Sequence, residues 1–107
     1  GKQLALKKGA REVGEGIIEA YMHPTGKTAA MIDLRCETDF VARSEDFKKL
    51  AHELVLQLAS MDPSTLEELL SQPYIRDPGK TIQDLISESI ARIGENIMIK
   101  RFSRFEI

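Results

Sequence analysis

Thr28-Ala29-Ala30-Met31-Ile32-Asp33-Leu34-Arg35-Cys36-Glu37 is the stretch whose reading decides the fold. Ala30, Ile32, Leu34 and Cys36 alternate with Asp33, Arg35 and Glu37, which is the period-2 pattern of a strand buried on one side. Just upstream, Ile17 to His23 reads as another strand. Between the two lies Pro24-Thr25-Gly26-Lys27, whose Pro and Gly supply turn dihedrals, so the pair is predicted to form a β-hairpin.

Downstream of the hairpin, Thr38-Asp39-Phe40-Val41 leads into a helix for which Ser44 is a good N-cap and Glu45 and Asp46 suit the positive end of the dipole. Phe47, Leu50, Ala51, Leu54 and Leu58 recur on one face, and Lys48, Lys49, Glu53 and Gln57 are assigned to the other, as on a surface helix packed over a sheet. Asp62-Pro63 ends it. Ser64 with Glu67 is read as a capping box opening a short helix to about Ser71, and Gln72 to Lys80, with two prolines and Gly79, as a loop. Thr81 with Asp84 starts a third helix of about a dozen residues, striped by Ile82, Leu85, Ile86, Ile90 and Ile93, with Gly94 where a left-handed C-cap is wanted. Asn96 to Ile107 closes the chain as a strand in which Ile97, Ile99, Phe105 and Ile107 share a parity that Phe102 breaks, so a bulge is expected near Arg101. Strands separated by a run of helices predict an α+β fold, a small three-stranded antiparallel sheet with helices packed on one face.

The 107 residues are enough for one domain, read as a lead-in over 1–15 and a compact unit over 16–107. In the lead-in the pattern is weak, because Gly9 and Gly14 each cost a helix about 1 kcal/mol. An apolar fraction of 42% and a charged fraction of 30% are those of an ordinary globular protein. No apolar run approaches membrane-spanning length and no secretory signal is read, so a cytoplasmic or organellar location and no membrane partner are expected. One cysteine excludes an internal disulfide, and with two histidines to help it argues against structural zinc. A formal charge of -2 argues against a chain whose main work is neutralising phosphates along a nucleic acid.

Gly-Lys-Thr occurs at Gly26 and at Gly79, but a phosphate-binding loop needs a further glycine five residues earlier, where Tyr21 and Tyr74 stand. Both are read as turns. Cys36 with His23 or His52 lacks the surroundings of a catalytic pair, and Cys36 is read as a core thiol. Carboxylates at Glu45, Asp46, Glu67 and Glu68 belong to helix starts, so no catalytic residue, cofactor or metal is assigned. Lys100-Arg101-Phe102-Ser103-Arg104-Phe105 interleaves cations with rings and offers an RNA-binding alternative; a sheet strand with aromatics inward and arginines outward explains it as well. Thr38-Asp39-Phe40-Val41 is hardest to explain as scaffold. Periodicity alone reads Phe40 as a cap on the core; exposed beside a carboxylate, it would instead be an anchor for a partner's pocket.

Cys36-Glu37-Thr38-Asp39-Phe40-Val41-Ala42-Arg43, the upstream Glu15-Gly16-Ile17-Ile18-Glu19-Ala20-Tyr21, Gln72-Pro73-Tyr74-Ile75, and Ile93-Gly94-Glu95-Asn96-Ile97 running on to Arg101-Phe102-Ser103-Arg104-Phe105 together resemble the core of the elongation factor Ts family. The likeness covers almost the whole chain. It implies guanine-nucleotide exchange on elongation factor Tu, without covalent catalysis. It also implies that Asp39 and Phe40, positioned by Thr38 and Val41, press on the partner near its magnesium and phosphates. Longer members open with a small helical module that also docks on elongation factor Tu, and the likeness begins after it. They also carry a longer segment between the Phe47 to Ser60 helix and the Gln-Pro stretch. Short members pair, so a homodimer is an expectation too, and no direct nucleic-acid partner is.

Overall fold

Ala30, Ile32, Leu34 and Cys36 are 4, 1, 0 and 0% exposed, so the alternation in the sequence is the inward face of a strand. The computed structural model describes residues 11–107, and most of the lead-in, including its weak helical reading, lies outside them. In chain order the elements are β1 (Glu15–Met22), β2 (Thr28–Cys36), α1 (Asp39–Ala42), α2 (Glu45–Met61), α3 (Leu66–Ser71), β3 (Pro73–Tyr74), β4 (Asp77–Thr81), α4 (Ile82–Ile93) and β5 (Met98–Glu106). The fold is α+β, with a three-stranded antiparallel sheet in the order β1-β2-β5 and a small second sheet of β3 and β4.

β1 and β2 pair without interruption from Glu15 opposite Cys36 to Met22 opposite Ala29. Gly16 permits the close approach at the start: a Cβ there would run into the Leu34 carbonyl oxygen and the Arg35 backbone. Between β2 and β5 the register jumps. Asp33 faces Arg101 while Leu34 faces Ile99, which leaves Lys100 as the extra residue of a bulge. Ile99 and Phe102 thereby share the core face, whereas Phe105, opposite Ala29, falls on the other face and is 78% exposed. The expected shared parity of Ile99 and Phe105 is therefore corrected by the same bulge that was expected there.

α2 is capped by Ser44, whose Oγ accepts from Phe47 N at 3.2 Å, and ends at Asp62 in the left-handed conformation. Phe47, Leu54, Val55 and Leu58 are fully buried under the sheet with Ile82 and Leu69. Glu53 and Gln57, assigned to the solvent side, are instead 8% and 0% exposed. The loop read over Gln72 to Lys80 is in part the β3–β4 hairpin, and it explains the burial. Gln57 Nε2 donates to the Pro73 carbonyl at 3.0 Å, its Oε1 accepts from Ile75 N at 3.0 Å, and Glu53 Oε1 accepts from the Tyr74 hydroxyl at 2.7 Å. Burial, then this carboxylate, pushes the Tyr74 phenol up to about 12.

The short helix α3 starts one residue later than expected: Thr65, not Ser64, caps it by accepting from Glu68 N at 3.0 Å. α4 starts and stops as read, with Thr81 and Asp84 in a reciprocal capping box and Gly94 at φ 88° as its left-handed C-cap.

Candidate functional site

Cys36 ends β2 inside the core, and its Sγ donates to the Thr38 carbonyl at 3.3 Å. Burial, reinforced by the negative charge of Glu95, pushes the thiol up to about 11. It is a protonated core group, not a nucleophile. His23 Nδ1 meets Thr25 Oγ1 at 2.9 Å in the hairpin turn, and His52 Nδ1 meets Glu19 Oε2 at 3.1 Å, so each histidine has a partner other than the thiol. Among the described residues, no group of three or more His, Cys, Asp or Glu is placed to hold a metal ion.

From Cys36 the backbone leaves the sheet through Thr38, in the extended region at φ -124°, ψ 153°. Thr38 Oγ1 accepts from Val41 N at 3.2 Å, and Ala42 N donates to the Thr38 carbonyl at 3.1 Å, which closes the single turn of α1. The sequence pattern, too short for helical periodicity, reads this stretch only as a junction. Ser44 then serves both helices, donating from Oγ to the Val41 carbonyl at 2.8 Å while capping α2.

The four residues singled out in the sequence part company on this turn. Val41 and Ala42 are 8% and 1% exposed and peg it to the core, and Thr38 caps it. Asp39 and Phe40 point away. Phe40 is 82% exposed, so it is not the core cap that periodicity alone gives, and Asp39 makes an exposed ion pair with Arg43 at 3.1 Å, one helical turn on. Pairs of this kind contribute little and break cheaply.

What the sequence does not reveal is how this turn is tied to the far end of the helical layer. Glu95, directly after the Gly94 cap, accepts on Oε1 from Glu37 N and Thr38 N, both at 3.1 Å, and on Oε2 from the Thr38 hydroxyl at 2.8 Å. In return, Glu37 Oε2 accepts from Asn96 N at 2.6 Å, and its Oε1 pairs with Arg11 Nε at 3.1 Å. Glu95 thus holds the backbone at Glu37 and Thr38, and Glu37, 58 positions away, holds the backbone N–H of the residue after Glu95. The only local hint is a glutamate that no helix start or i, i+4 pairing accounts for.

The basic and aromatic stretch of β5 does not present a continuous surface. Phe102 packs inward, Arg101 Nε donates to Asp33 Oδ2 at 3.0 Å, and Arg104, expected to point outward, lies 13% exposed with Nη2 donating to the Ala59 carbonyl at 2.9 Å. Of its cations, Arg101 and Arg104 are engaged within the fold, while Lys100, in the bulge, is exposed.

A family model described as Elongation factor TS matches residues 37–107. The whole chain aligns at 34% identity with elongation factor Ts of Herpetosiphon aurantiacus and at 36% with that of Coprothermobacter proteolyticus, covering 77% of each. Against elongation factor Ts of Caldanaerobacter subterraneus, identity is 33% over 99% of this chain and 76% of the relative. The first two alignments run over 152 positions against 107 residues here, so these relatives carry stretches with no counterpart in this chain.

Proposed function

Since this chain belongs to the elongation factor Ts family, we propose that it acts as a guanine-nucleotide exchange module, a single unit that promotes release of GDP from elongation factor Tu during translation elongation. Phe40, 82% exposed on a turn held at both ends, is the observation that carries the reading. A ring left in water contributes little to its own fold, yet seated in a partner's pocket it gains roughly 1.5–3 kcal/mol.

Phe40 and Asp39 act together as a wedge. The ring enters the GTPase beside its magnesium and phosphate site, and Asp39 leaves its weak pair with Arg43 to compete there for positive partners. Contacts that hold GDP are displaced. By linkage, bound GDP weakens the wedge by the same factor, so exchange needs no reactive side chain on this chain and no cofactor. The work is that of a binding module in the compartment where translation runs; no helix among the described residues is long and apolar enough to cross a membrane. No nucleic acid takes part in this step.

The unit pairs with a second copy through the face of the sheet turned away from the helices. Ile18, Met22, Met31, Met98 and Phe105 stand 43–78% exposed there, and Met22, Met31 and Phe105 line a shallow cavity of about 300 Å³ with Ala20, Ala29 and Ser103. Apolar groups in such number on one face favour a protein partner.

Release of labelled GDP from elongation factor Tu tests the exchange reading. The chain is expected to accelerate it, and Phe40→Ala to lose most of the gain, about tenfold or more, with an unchanged melting temperature. Unchanged release with the intact chain overturns the reading, and salt-sensitive RNA binding in its place would turn attention to β5.

A further inference from the structure

We infer that Glu95, with Glu37 as its reciprocal partner, is a positioning residue for the Asp39 and Phe40 turn, so that the segment following α4 belongs to the exchange apparatus although it bears no exposed anchor. The inference rests on the exchange reading above and adds to it the group that aims the wedge.

A helix of one turn does not stand by itself. Nucleation is unfavourable by a factor on the order of a thousand, and α1 forms only because its ends are fixed from outside. Burial of Val41 and Ala42 fixes the C-terminal end. The N-terminal end is fixed by Glu95, whose three acceptor contacts go to Glu37 N, Thr38 N and the Thr38 hydroxyl. The hydroxyl contact matters most. Thr38 has one hydroxyl proton, and with it directed at Glu95 Oε2 the oxygen's lone pairs are left to accept from Val41 N. Glu95 therefore orients the cap that closes the turn carrying Phe40.

Glu95 is itself well founded. Gly94, in the left-handed conformation with its N–H on the Ile90 carbonyl at 2.8 Å, turns the chain off α4, and Ile97 buries the other side at 1% exposure. The Glu37 bond to Asn96 N at 2.6 Å closes the arrangement from the other direction. At 82% exposure the Phe40 ring gains little restraint from the described residues beyond the backbone of this turn. A ring whose backbone wanders must be ordered at the moment of docking, and that cost comes out of the affinity.

The test compares Glu95→Ala, Glu95→Gln and wild type, with and without Phe40→Ala. Glu95→Ala is expected to slow stimulated GDP release about tenfold through loss of charge-assisted hydrogen bonds, and Glu95→Gln, which keeps an acceptor for the two backbone N–H groups but turns an NH2 donor toward the Thr38 hydroxyl, to recover only part of it. In the Phe40→Ala background, Glu95→Ala is expected to change little, because both act through one ring. Amide hydrogen exchange of the free protein should show protection lost at Thr38 and Val41 and retained at Leu34 and Leu54. Where Glu95→Ala does not fold, Glu95→Asp, which draws the same charge back by one methylene, replaces it. Wild-type release stimulated but Glu95→Ala equal to wild type overturns this inference alone. So does a Glu95→Ala defect of equal size with and without Phe40, which marks a merely structural loss. Wild type without stimulation overturns the exchange reading itself.

Discussion

Asp33 sits on the face of β2 away from the helices, yet it is 3% exposed, because Arg35 Nε at 2.6 Å and Arg101 Nε at 3.0 Å close over it. The hydrogen bond from Arg35, and then that from Arg101, outweighs burial and holds its carboxyl below the ordinary carboxylate value. A depressed folded value means that its stabilisation is complete above the unfolded-state value near 3.9 and drains away as pH falls through the folded one. Asp33→Asn is therefore expected to lower stability at neutral pH by about 1–3 kcal/mol and to flatten the acid limb of the stability curve, as read by urea midpoints between neutral pH and the acid limit. Equal slopes for both proteins below pH 4 would refute it.

Among the elements, α2 carries more than the amphipathic stripe assigned to it. Its Gln57 amide holds the β3–β4 hairpin at Pro73 and Ile75, while Glu53 takes the Tyr74 hydroxyl. Gln57→Leu keeps the volume but orphans these backbone groups, so a loss of about 1–3 kcal/mol is expected, with hydrogen exchange quickening first at Ile75. A melting temperature equal to wild type would count against it. The misreading of Glu53 and Gln57 has a physical source: periodicity sorts residues by polarity, and it cannot see a buried amide that is satisfied by a hairpin 16 to 18 positions further on. Features decided within one turn of chain were legible, among them the Ser44 cap, the Thr81 and Asp84 box, the Gly94 stop and the bulge in β5. Those decided by distant contacts were not. Phe40 was marked as a candidate by its type and its neighbours, but its exposure depends on Val41 and Ala42 finding the core first, and the Glu95 clasp spans 57 to 59 positions.

At the scale of the molecule, the sheet has one face filled by helices and one face open. On the open side the cations and Asp33 occupy the middle, whereas Met22, Met31 and Phe105 gather toward the hairpin end. If that end meets a second copy, Met31→Lys is expected to convert a dimer to a monomer in sedimentation equilibrium, since a charge there would be buried unpaired, and to melt like the wild-type chain diluted to monomer. A wild-type chain that sediments as a monomer at every concentration rules the pairing out. The mutual grip of Glu37 and Glu95 also bears on how such a chain can change length. Everything from α1 to α4 departs and returns through that one gate, so extra residues at the exposed Ser64 and Thr65 between α2 and α3 would swing outside it without moving either gatepost. Enlarging such an excursion is nearly free, roughly 0.6 kcal/mol for each doubling of a flexible loop. Lineages can thus lengthen or trim the middle of the chain while the turn that carries Asp39 and Phe40 stays where it is.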